Sequence, residues 1–178
     1  MLVTLISALR EKGSWCGETH IQKSSFLLKK LTGVPIDFDF ILYKHCPYSF
    51  DLHDELSVMR AFGLLDLEVI YPYGPRIANT DMGSALLERF PKKPAQYKSQ
   101  IGFISAKLGD KGIIYLERLA TAYFVTHNHP ESNQEDRAKN IVKLNPHIAL
   151  EDAKLAVQDV DGLIAEVRKE NLVKENAC

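Results

Sequence analysis

Leu2, Leu5, Ile6 and Leu9 recur at the spacing of a single helix face, which predicts a helix over residues 2–12 that stops at Gly13 and Ser14. A second helix is predicted over residues 17–31. Ile21, Ser24, Ser25, Leu28 and Leu31 share its inward face, Lys23, Lys29 and Lys30 are assigned to water, and Gly33 followed by Pro35 ends it. Residues 38–43 are aromatic and branched and predict a strand. Residues 46–49 predict a turn that opens the next helix, with Ser49 as N-cap and Asp51 in the first turn. That helix should reach Phe62, turn Leu52, Leu56, Met59 and Phe62 inward, and stop at Gly63. Residues 64–71 then pair with residues 76–78 in a short hairpin bent at Pro72, Tyr73, Gly74 and Pro75. Asn79 or Thr80 caps a helix over residues 81–90, which Pro91 and Pro94 interrupt.

Everything beyond Pro94 carries helical periodicity. Segments are predicted over residues 95–108, 113–127, 131–144 and 150–171. The second of these is apolar almost all round, as a buried helix is. The last is amphipathic, with Ala153, Ala156, Val157, Val160, Leu163, Ile164 and Val167 on one stripe. Gly162 inside it costs about 1 kcal/mol of helix propensity, tolerable where backbones approach closely. The predicted class is therefore α+β and mostly helical. A winged-helix-like module with a short antiparallel sheet fills residues 1–90, and a helical extension over residues 91–178 packs on it. Only one helix stands between the first strand and the hairpin, where the DNA-binding arrangement has two.

Composition supports a folded soluble chain: among 178 residues, 46% are hydrophobic and 25% charged, and mean hydropathy is -0.14. No apolar run reaches the ~18 residues of a membrane span, and the start of the chain lacks the basic region of a signal peptide. Cys16, Cys46 and Cys178 show no CxxC spacing, so neither a disulfide framework nor a zinc knuckle is expected. A cytoplasmic location follows as the expectation, and Cys178 makes no prenylation box. Net charge is -1. A domain that neutralises many phosphates is visibly basic, and this one is not.

The segment Glu18-Thr19-His20-Ile21-Gln22-Lys23-Ser24-Ser25-Phe26-Leu27 resembles the LQKLLYF-like helix of the Panacea (SocA-like antitoxin) and YwgA-like proteins. Residues 40–49 (Phe-Ile-Leu-Tyr-Lys-His-Cys-Pro-Tyr-Ser) resemble their Y-x-G-P-Y-S junction, with Cys46 in place of glycine. Gly74-Pro75-Arg76-Ile77 followed by Thr80-Asp81 is similar to their wing and the helix after it. The likeness covers about residues 5–90. It implies a compact binding module, often set beside a toxin or a defence protein, with no catalysis and no cofactor expected.

Candidate sites follow from residue chemistry. Gln22 and Lys23 beside Tyr43 and Tyr48 can form a recognition pocket for a protein partner, since aromatic and basic groups dominate binding hot spots. The same pair can instead cap the backbone of the turn after Tyr43, and the two roles are compatible. Tyr73 and Arg76 extend the expected partner surface along the wing. The competing function is a regulator reading DNA through the helix at 49–62, but that helix carries Asp51, Asp54 and Glu55 against Arg60 alone. His45, Cys46 and His53, or His127, His129 and His147, are read as loop polar groups and no metal is expected, because zinc needs three or four ligands converging at ~2.0–2.3 Å. Cys16 precedes a helix N-terminus, a place where thiol acidity can rise, but a lone thiol without a positioned base is read as a buried or incidental cysteine. No GxSxG, P-loop, GxGxxG or HExxH pattern occurs. The final helix is a candidate homodimer contact.

Overall fold

The computed structural model of the chain describes residues 1–173, so Cys178 lies outside the described residues. The chain is α+β and 63% helical, with two small antiparallel two-stranded sheets. Helices α1 (Leu2–Glu11) and α2 (Glu18–Thr32) lead into strands β1 (Ile41–Tyr43) and β2 (Cys46–Tyr48). Then come α3 (Phe50–Ala61), strands β3 (Leu65–Ile70) and β4 (Gly74–Asn79), and α4 (Asp81–Arg89). The remainder is α5 (Lys92–Gln96), α6 (Lys98–Leu108), α7 (Ile113–Asn128), α8 (Gln134–Leu144) and α9 (Leu150–Lys169).

Helix α2 is the axis of the molecule. It packs against α6, α7, α9 and β2 at once, and every residue from His20 to Leu28 is buried. Its polar content hides this from a periodicity argument, because His20, Gln22, Lys23, Ser24, Ser25 and Thr32 are all inside. The expectation that Lys23 stays in water is wrong for this reason: neighbouring elements enclose the whole circumference of the helix, so no face reaches solvent there. One continuous cluster of buried side chains runs from Leu2 to Leu172.

The predicted strand at 38–43 shortens to Ile41–Tyr43, and residues 46–48, predicted as a turn, form its partner strand. The register pairs Ile41 with Tyr48 and Tyr43 with Cys46. Only Lys44 and His45 remain for the turn, with φ of 46° and 73°, the two left-handed residues a tight twisted hairpin demands. Because β1 pairs with β2, it does not join the β3–β4 hairpin, whose register runs from Leu65 with Asn79 to Ile70 with Gly74. The hairpin is anchored at its base: the Ile77 amide donates to the Cys16 carbonyl at 2.9 Å, and Asn79 Nδ2 donates to Val3 O at 2.9 Å.

Three helices differ from expectation. The segment predicted at 95–108 breaks at Tyr97, and Pro94 sits within the first turn of short α5, where a missing N–H costs nothing. Helix α8 begins at Gln134 because the Asn133 side chain caps it, accepting from Asp136 N at 2.9 Å. Helix α7 is buried mainly from Leu119 to Val125, with Leu116 inside as well, whereas Ile113 and Ile114 at its start are exposed. Gly162, expected at a close backbone approach, faces open space. Gly162→Ala should therefore stabilise the protein by about 0.5–1 kcal/mol in urea titration; a loss of stability would reveal a neighbour at that position.

Candidate functional site

The β2–α3 junction is held from inside by two side chains of α2. Gln22 uses both ends of its amide on one residue: Nε2 donates to Ser49 O at 2.8 Å and Oε1 accepts from Ser49 N at 3.0 Å. Lys23 Nζ donates to Pro47 O at 2.7 Å. Both side chains are buried, at 0% and 4% exposure, so neither forms part of an outer rim. The backbone-holding role is the one their geometry shows. Ser49 caps α3, its hydroxyl accepting from Leu52 N at 3.3 Å. From the other side, Thr121 of α7 donates to the His45 carbonyl at 3.3 Å, and burial pushes the Cys46 thiol upward in pKa.

What the clamp presents is aromatic. Tyr43, Tyr48 and Phe50 form a three-ring cluster with centroids 5.6, 5.1 and 5.1 Å apart, and Lys44 Nζ lies 5.4 Å from the Tyr43 ring. Tyr43 and Phe50 are exposed and Tyr48 is half-buried. Phe50 directly follows the Ser49 cap, and its ring leaves the helix start beside the hairpin; a first-turn phenylalanine carries no periodic signal that marks it in the sequence. Glu18, in the first turn of α2, accepts from Tyr48 Oη at 2.9 Å and meets His53 Nδ1 at 2.9 Å. Burial, then the Glu18 hydrogen bond, pushes the Tyr48 hydroxyl up to about 12. The Glu18 hydrogen bond raises His53 above its ordinary value of 6.5.

A second aromatic group flanks the same end of α2. Trp15 and Tyr73 pack edge to face at 5.5 Å, and the Arg76 guanidinium lies 5.7 Å from the Trp15 ring. Arg76 is not a free cation, since it pairs with Glu68, which also takes Arg10 at 3.2 Å. These arginines, Arg76 foremost, hold the Glu68 carboxyl below its usual range. A cleft of about 150 Å³ lined by Glu18, His53, Arg60, Pro75 and Ile77 opens beside the Glu18–His53 contact. Of the predicted partner residues, Tyr43 and Tyr48 belong to the first aromatic group, with Phe50, Glu18 and His53 in contact with it, and Gln22 and Lys23 lie buried beneath its backbone. Tyr73 and Arg76 belong to the second, with Trp15.

The other candidates resolve differently. Cys16 is fully buried and its thiol is pushed up to about 12 by desolvation, so its place before a helix N-terminus does not make it acidic. His45 bonds the Leu144 carbonyl at 2.6 Å, and His127 stacks on Tyr123. Among the described residues no three histidine, cysteine or carboxylate groups converge as a metal site. None of the helices there is long and apolar enough to cross a membrane. No family model, curated protein or solved structure matches the chain.

Two outcomes follow. Gln22→Ala strands the Ser49 amide in the interior and leaves the Ser49 carbonyl only its bond from the His53 amide, and should cost about 2–4 kcal/mol in denaturant titration, against about 1 kcal/mol or less for exposed Tyr43→Ala. Equal costs would show that the clamp holds nothing. His53 should titrate above 6.5 by NMR and return toward that value in Glu18→Gln. A raised folded-state pKa means that the Glu18–His53 tie is fully formed below 6.5 and is lost as pH rises through the raised value.

Proposed function

We propose that this chain is a non-enzymatic interaction module that grips a protein partner, an antitoxin or a defence-system accessory subunit acting in the cytoplasm. The exposed Tyr43–Tyr48–Phe50 cluster carries the reading. Tyrosine, tryptophan and arginine dominate the energetics of protein interfaces, and here Trp15, Tyr73 and Arg76 form a second such group near the start of α2. The rings are held by a buried clamp before any partner arrives, which lowers the ordering cost of association. The resemblance of residues 5–90 to Panacea and YwgA-like modules supports the same reading and the winged-helix-like description of the first part of the chain.

Charge weighs against nucleic acid. Asp51, Asp54 and Glu55 are exposed on α3 with Arg60 as its only cation, and both Arg10 and Arg76 are spent on Glu68. The deciding experiment compares wild type with Tyr43→Ala/Phe50→Ala in co-purification from the source organism, alongside a duplex-DNA mobility shift. The proposal predicts a specific partner that the double variant loses while its thermal midpoint holds, and no DNA shift at micromolar protein in about 50 mM salt. A salt-sensitive shift abolished by Arg76→Glu would hand the function to a DNA-binding regulator.

A further inference from the structure

The opposite flank of α3 carries a surface that the aromatic face does not explain. A groove of about 490 Å³ opens between α1, α2, α3 and α4. Leu2, Leu5, Leu28, Ile36, Phe38 and Met59 form its floor and walls, and Leu64 and Leu86 close one side. Helix α4 beside it is anomalous. Met82 and Leu86 on the helix and Phe90 at its C-cap recur at four-residue intervals, yet they are 58%, 37% and 59% exposed. Gly83 is the one buried residue of that helix, pressed so close to Leu64 that an added Cβ would lie 2.3 Å from its carbonyl oxygen. An amphipathic helix drawn this tightly to the body while its large apolar side chains stay in water, with Leu86 lining the groove, presents exposed apolar surface of the kind that marks an interface.

The charges choose the occupant. Asp37 and Glu55 are the only acidic side chains among the residues lining the groove, and no lysine, arginine or histidine lines it; both carboxylates are exposed, and neither is paired among the described residues. The walls are helices and loop, with no free strand edge to extend by backbone pairing, so an added strand has nothing to bond to. We infer that this groove and the α4 stripe receive an amphipathic helix of a protein partner, its apolar anchors seated along Met59, Leu86 and Phe90 and its lysine or arginine flank facing Asp37 and Glu55. This surface is independent of the aromatic face: Glu55 and Met59 line the groove, whereas His53, Ser57 and Arg60 line the cleft on the other flank of α3.

The test uses the full chain and a fluorescein-labelled three-turn peptide with leucines on one face and lysines on its flanks, plus a twin with glutamates replacing the lysines. By fluorescence anisotropy, the lysine peptide should bind at least about tenfold tighter than its twin, and Asp37→Lys/Glu55→Lys should reverse that preference. Leu86→Glu, at an exposed position, should weaken binding by about tenfold with the thermal midpoint unchanged. Tyr43→Ala/Phe50→Ala should bind the peptide as wild type does, so loss of the aromatic-face reading leaves this result standing, and the reverse holds too. Equal binding of both peptides, or of neither, overturns the inference. So does sedimentation showing a concentration-dependent dimer that Leu86→Glu abolishes, which would assign the stripe to a second copy of the chain.

Discussion

A carboxamide and an ammonium buried in one helix organise this molecule. Gln22 gives Ser49 the two hydrogen bonds that a neighbouring strand would give it, and Lys23, the next residue of the same helix, satisfies the Pro47 carbonyl. Buried backbone groups need partners, and the short β1–β2 hairpin cannot supply them beyond Tyr48. Without these side chains the chain would have to reach water between Tyr48 and Phe50. With them, a three-residue strand passes directly into a capped helix inside the core.

Enclosing a lysine is costly, because its charge leaves water with a neutral carbonyl as the bonded partner. The fold accepts that cost where one helix is wrapped on all sides. The small Ser24 and Ser25 side chains of α2 lie inside as well, allowing neighbours to come close to its backbone. The reward is geometric. Strand β2 fixes Tyr48, α3 fixes Phe50, and Glu18 at the start of the clamping helix ties both Tyr48 and His53. One element thus supports the surface from below and enters it at its end.

Much of the architecture was legible in the sequence. Ser49 as N-cap, Gly33 and Gly63 at helix ends, and the β3–β4 hairpin around Pro72–Pro75 follow from local chemistry that no tertiary contact reverses. The β1–β2 hairpin was hidden because Lys-His is an unusual pair for two left-handed turn positions, and Pro47 looked like a breaker. The depth of α2 was hidden because a helix buried on every side has no polar face to reveal its orientation, and its polar residues suggested one. Of the surface, Tyr43, Tyr48, Tyr73 and Arg76 were visible by type. Trp15, Glu18 and His53 join them only through contacts that bridge distant parts of the chain.

Amide hydrogen exchange at Ser49 and Leu52 tests the clamp most directly, since both N–H groups depend on bonds that the buried side chains position. If the junction is part of the core, these amides exchange only through global unfolding, with protection equal to that of Phe26 and Leu27 in the middle of α2. Exchange at the rate of a fraying helix end, with the α2 amides still protected, would contradict the account.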